Sequence, residues 1–159
     1  MAPSVVHVPA FSVMGVAVRT CNRDEMLPER ARIGALWDRF FSESWAHRLP
    51  GPGAEGHLYG VYSAYASDQH GAFDVTAGVP AAAQAEPPAH AVRVEVQAGD
   101  YLVFLGEGPM PQMVIDAWVA VWRYFEAHPE ARRRFGTDFE RYEGPERVAL
   151  HIGIESGRG

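Results

Sequence analysis

A chain of 159 residues, 47% apolar and 21% charged, folds as one domain around a real core, which excludes wholesale disorder. Its net charge of -6 and the absence of a long basic run argue against nucleic acid as a direct partner. No apolar run approaches the roughly 20 residues that cross a bilayer, and no basic leader precedes Arg19. The single cysteine, Cys21, has no partner within the chain, so a cytoplasmic protein with a buried thiol is expected.

Phe11 to Thr20 alternates with apolar groups on both faces, which predicts a covered or central strand. Asn22 to Pro28 is polar and turn-like. Ile33, Leu36, Trp37, Phe40 and Phe41 then recur at helical spacing as an amphipathic stripe, and Pro50-Gly51-Pro52-Gly53 ends the element. Leu58 to Tyr65 and Phe73 to Val79 read as strands of a hairpin around Ser67 to Gly71. Pro80 to His90, rich in Ala and Pro, reads as a linker.

The second half repeats this order. Ala91 to Val96 and Tyr101 to Leu105 are predicted strands, Pro111 to His128 a helix striped by Val114, Trp118, Val121, Trp122 and Phe125. Arg132-Arg133-Arg134 reads as a solvated helix end or turn. Phe139 to Tyr142 and Val148 to Ile154 close the chain as a hairpin around Gly144-Pro145.

The halves match in residues as well as order. Ala35 to Phe40 aligns with Ala120 to Phe125, placing Trp37 on Trp122, and Val75 to Val79 aligns with Leu150 to Ile154. An α+β fold follows: duplicated βαββ units forming one antiparallel sheet, two helices packed on one face, and a groove at the pseudo-two-fold axis between the repeats. A single domain over 1–159 is expected, with repeat 1 at about 5–80, a linker at about 80–90 and repeat 2 at about 91–156.

Period two puts Glu140 and Tyr142 on one face of a strand, where a carboxylate beside a ring suits a flat, cationic or electron-poor ligand. Tyr62 aligns with Tyr142, and Gly60 with Glu140, so one repeat offers an acid and the other empty space. Trp37, Trp118 and Trp122 lie on helix stripes; Trp118 and Trp122, one turn apart, can face one groove. Phe104 joins them as an aromatic candidate. The seven histidines show no metal-ligand spacing, and neither a phosphate loop nor a serine elbow is present, so no metal or cofactor is expected. His151 reads as an exposed histidine.

Phe11 to Gly15, Leu36 to Phe40, Tyr59 to Tyr62, Asp68, Phe73-Asp74, Gly78-Val79, Gly99 to Phe104, Gly108-Pro109, Trp118, Trp122, Asp138 to Tyr142 and Ile152 to Ile154 form an ordered set over nearly the whole chain. In this set the chain resembles the GyrI-like effector-binding domains, and within them the stand-alone proteins, including those carried on integron cassettes. The resemblance implies an aromatic-lined pocket in which a glutamate at the Glu140 position pairs with lipophilic cations, with no DNA-binding segment of its own. It also implies alternatives. One is a hydrolase of strained cyclopropane-containing toxins, using Glu140 to activate water and Tyr142 to polarise the substrate. Another is a protein inhibitor of a partner such as DNA gyrase. A homodimer through an exposed sheet edge is a further possibility.

Overall fold

The computed structural model describes residues 3–49, 57–82 and 84–155. In chain order the elements are β1 (Ser4–Val8), β2 (Phe11–Thr20), α1 (Asn22–Glu25), α2 (Ile33–Ser42), α3 (Trp45–Arg48), β3 (Leu58–Ser63), β4 (Phe73–Ala81), β5 (Val92–Val96), β6 (Gly99–Glu107), α4 (Gln112–Ala127), β7 (Arg133–Tyr142) and β8 (Arg147–Ile154). The strands form one eight-stranded sheet in the order β1-β6-β8-β7-β3-β4-β2-β5, antiparallel throughout. This is the α+β sheet expected from the sequence. Its order is symmetric about the central pair β7–β3.

The outer strands are exchanged between the halves. Only Pro9 and Ala10 separate β1 from β2, yet β1 pairs with β6 while β2 pairs with β5. Sequence reading saw no strand in Ser4–Val8, because its residues are mostly exposed and carry no buried stripe. Pro80 and Ala81, read as linker, continue β4 instead. The Arg93 Nη1 donates to the carbonyls of Ala82 and Ala85, and Ala85 packs on the core, so this stretch is tied down.

Both long helices cover one face of the sheet. Leu36 and Phe40 of α2 pack with Met14, Val16, Tyr62 and Val75; Met113, Ala117 and Val121 of α4 pack with Leu102, Phe104, Leu150 and Ile152. Burying such side chains contributes about 1.5–3 kcal/mol each. The other face holds a third cluster of Val13, Val61, Val96, Tyr101 and Phe139.

Several local readings change. Asn22–Glu25 is a helical turn rather than a plain turn, and it places Glu25 to accept from the Arg32 and Ile33 amides at the start of α2. Those amides lack intrahelical partners, so the carboxylate stabilises the helix end. Helix α2 stops at Ser42, where Ser44 turns left-handed (φ 56°) and drives Trp45 into the core at 1% exposure. The Pro50 to Gly53 breaker lies outside the described residues. Arg133 and Arg134 are not a solvated turn: they open β7, and the Arg133 side chain is 7% exposed.

Candidate functional site: a buried carboxylate on the central strand pair

The register of β3 against β7 pairs Leu58 with Tyr142, Gly60 with Glu140 and Tyr62 with Asp138. Alternation puts Asp138, Glu140 and Tyr142 on the helix-covered face. Glu140 is 2% exposed. Its Oε2 accepts from the Tyr62 hydroxyl at 2.7 Å and the Trp118 indole N–H at 2.8 Å, and its Oε1 accepts from the Tyr142 hydroxyl at 2.8 Å. All three donors are neutral, and among the described residues no cation pairs with it.

Burial pushes the Glu140 carboxyl above the ordinary carboxylate range, and the bonds from Trp118, Tyr62 and Tyr142 pull against that without overcoming it. Hydrogen bonds to a charged group are worth about 1.5–3 kcal/mol each, whereas taking a lone carboxylate out of water costs more than neutral donors return. The Tyr62 and Tyr142 phenols are held far up by burial first and by the neighbouring carboxylate second. They remain donors at any physiological pH.

Gly60 makes room for this arrangement. A Cβ there would stand 2.6 Å from Glu140 Oε1 and 3.3 Å from Trp37 Cζ2. The space opposite the acid is thus filled by the carboxylate itself and the edge of Trp37. Two ring pairs flank it. Trp37 meets Tyr142 edge-on at 5.4 Å, and Trp118 meets Tyr62 at 5.0 Å. Each helix covers the tyrosine of the opposite half.

These contacts shift the expected helix match by one turn. Trp37 corresponds in position to Trp118, not to Trp122. Phe41 stacks beside Trp37 at 5.9 Å as Trp122 lies beside Trp118 at 6.2 Å, and buried Leu36 and Phe40 answer buried Ala117 and Val121. The identity of Trp-x-x-Phe in both helices drew the sequence alignment a turn too far along.

Of the predicted site residues, Glu140, Tyr142, Tyr62, Trp37, Trp118 and Gly60 come together. Trp122 stands one ring away, behind Trp118. Phe104 is set apart two strands from Glu140, against Tyr124 and Phe125. Two shallow clefts lie elsewhere, one between Glu107 and the Gly144 turn and one between Phe104 and the outer side of α4. Neither reaches Glu140, because aromatic rings close over it. His151 is not exposed: it lies on the sheet face away from Glu140, stacked on Phe139 at 4.3 Å, and burial lowers its pKa to about 4. Cys21 is half-buried and free. Among the described residues no group of three or more His, Cys, Asp or Glu side chains is placed to hold a metal, and no helix is long and apolar enough to cross a membrane.

A second acid, not among the residues expected at the site, is buried on the same face. Asp138 is fully buried and accepts from the Tyr65 hydroxyl, from Arg133 Nη2 at 2.8 Å and from the Gly153 amide at 2.8 Å. The Arg133 guanidinium also lies 4.5 Å from the Phe135 ring centroid. The period-two spacing from Glu140 placed Asp138 on this face. Its partner was hidden because β7 has a register irregularity between Arg133 and Asp138, with Phe135 at φ 55°.

Residues 4–154 match the family model described as integron-associated effector binding protein. An integron cassette protein from the mobile metagenome of Vibrio cholerae is 36% identical, with a TM-score of 0.85 over 97% of this chain and 96% of that one. The transcriptional regulator BrlR of Pseudomonas aeruginosa is 29% identical over 90% of this chain, which spans 48% of that protein. SAV2435, solved bound to tetraphenylphosphonium, shares the fold at a TM-score of 0.74 and 14% identity, covering 98% of this chain and 95% of that one. The chain belongs to the integron-associated effector-binding proteins, and the coarse role that this family supports is the binding of a small-molecule effector.

Proposed function

We propose that this effector-binding protein takes up lipophilic aromatic cations, with Glu140 as the counter-charge. One observation carries the reading: a buried carboxylate has three neutral donors and, among the described residues, no protein cation. Such a group gains most from a ligand that brings its own positive charge. Tyr62, Tyr142, Trp37 and Trp118 are the rings that would stack on that ligand and contribute cation–π attraction, worth about 2 kcal/mol or more when desolvated. Since these rings close over the acid, entry requires them to part, and Trp118 must give up its bond to Oε2. The tetraphenylphosphonium held by SAV2435, a protein of the same fold, illustrates the ligand class.

The same geometry supports a second reading. A carboxylate pushed towards the protonated form, with two phenol donors beside it, fits a general base or acid that opens a strained electrophilic ring. One experiment tests both. Intrinsic tryptophan fluorescence is followed during titration with tetraphenylphosphonium, its neutral analogue triphenylphosphine oxide and a cyclopropane-bearing compound, and each mixture is then weighed by mass spectrometry. Quenching by the cation in preference to the neutral analogue supports binding. Equal response to both removes the counter-charge role, and a cyclopropane recovered with one added water supports hydrolysis.

A further inference from the structure

We infer that Arg133 fixes the number of charges on the ligand: by occupying Asp138 it leaves Glu140 as the uncompensated acid on this face of β7 and confines the site to monocations. The inference rests on the cation-binding reading above and names the class of cation.

Asp138 and Glu140 are two residues apart on one strand face, about 7 Å along the strand. Both are buried, at 0% and 2% exposure. Each sits among aromatic side chains and accepts from a tyrosine hydroxyl, Tyr65 on Asp138 and Tyr62 on Glu140. Their remaining donors differ, an indole and a second phenol on Glu140 against the Gly153 amide on Asp138, and so does the charge of the partners. Asp138 holds a cation that the chain supplies, with Arg133 Nη2 at 2.8 Å and its guanidinium over the Phe135 ring. Among the described residues the Glu140 cage holds none. Arg133 therefore stands in the Asp138 cage as an aromatic cation would stand in the other: a planar charge against a carboxylate and a ring. A ligand with a second positive charge at this spacing would meet a carboxylate already neutralised and a guanidinium of like sign.

The test compares N-methyl-4-phenylpyridinium with N,N'-dimethyl-4,4'-bipyridinium, flat molecules of nearly equal shape carrying one and two charges. Affinities are measured by calorimetry on the full chain in mildly alkaline buffer. Wild type should prefer the monocation. In Arg133→Met the preference should move towards the dication by about tenfold or more, because a second carboxylate is released. Asp138→Asn acts in the opposite sense: it leaves Arg133 uncompensated beside the site, so monocation affinity should fall, and Arg133→Met/Asp138→Asn should restore both affinity and the wild-type preference. The last two variants carry the test if Arg133→Met does not fold. Monocation binding with the same preference in every folded variant overturns the inference alone. Failure of the monocation to bind wild type overturns the parent reading and this inference with it. A role for Arg133 in folding only would change stability without changing the preference ratio.

Discussion

Glu140 Oε1 lies 2.6 Å from the point where a Cβ on Gly60 would stand, directly across the central strand pair. The bare backbone at Gly60 is what lets the carboxylate lie over β3 and meet Tyr142.

Gly60→Ala should therefore push the acid out of this seat. Nearby Trp37 Cζ2, at 3.3 Å, leaves little room for relief. The expected cost is about 1–3 kcal/mol of stability from overpacking, together with weaker cation binding. Urea unfolding and a fluorescence titration on the same variant measure both.

Glu140→Gln should lower affinity for tetraphenylphosphonium about tenfold or more, equivalent to roughly 1.4 kcal/mol, and leave a neutral analogue unaffected. Stability at neutral pH should hold or rise, since an unpaired buried charge is removed. Parallel loss of both ligands would mean that shape, not charge, was disturbed.

The pH dependence has a defined sign. The Glu140 pKa is raised above the ordinary 4.5, so the folded state holds a proton that the unfolded chain releases. Its contribution to stability is full below 4.5 and is lost as pH rises through the folded value. Cation affinity should run the other way, growing over that window as the carboxylate ionises. Titrations from mildly acidic to neutral pH should follow this in wild type and be flat in Glu140→Gln.

His151 acts with opposite sign. Its pKa falls from 6.5 to about 4, so the unfolded chain binds a proton that the folded protein refuses. Stability gained from this group is present above 6.5 and lost as pH falls towards 4, a swing of about 3 kcal/mol. His151→Phe, stacked on Phe139, should flatten the acid side of the stability profile measured by urea unfolding, and should leave cation binding unchanged.

Trp118→Phe keeps a ring beside Tyr62 but deletes the donor to Oε2. The loss of a bond to a charged group, about 1.5–3 kcal/mol, should raise the Glu140 pKa further. The midpoint of cation affinity against pH should move upward, a change that ring loss alone does not produce.

How much of this was legible in the sequence depended on periodicity. Strands with alternating burial and the striped helices α2 and α4 stood out, and so did Glu140 with both tyrosines, because a two-residue repeat fixes which side chains share a face. Ser4–Val8 lacked that signal, since its three valines fall on both faces, Val5 on one and Val6 and Val8 on the other, and its side chains are mostly exposed. Three consecutive arginines suggest water, and only the register irregularity of β7, which turns Arg133 back onto Asp138 and Phe135 of its own strand, buries one of them. Trp45, the most buried indole, follows a left-handed Ser44 that no helical stripe announces.

The exchange of outer strands bears on how a ligand gets in. With β1 pinned to β6 and β5 to β2, each half is stapled into the other, and Pro9 and Ala10 are all that connect β1 to β2. Parting the sheet along β3–β7 like a hinge would strain both staples. The freedom to admit a guest is thereby left to α2 and α4, which hold Trp37 and Trp118 from above and rest on the strands through side chains rather than backbone bonds. In the binding proposed above, the sheet is the fixed floor and the helices are the roof that would have to lift.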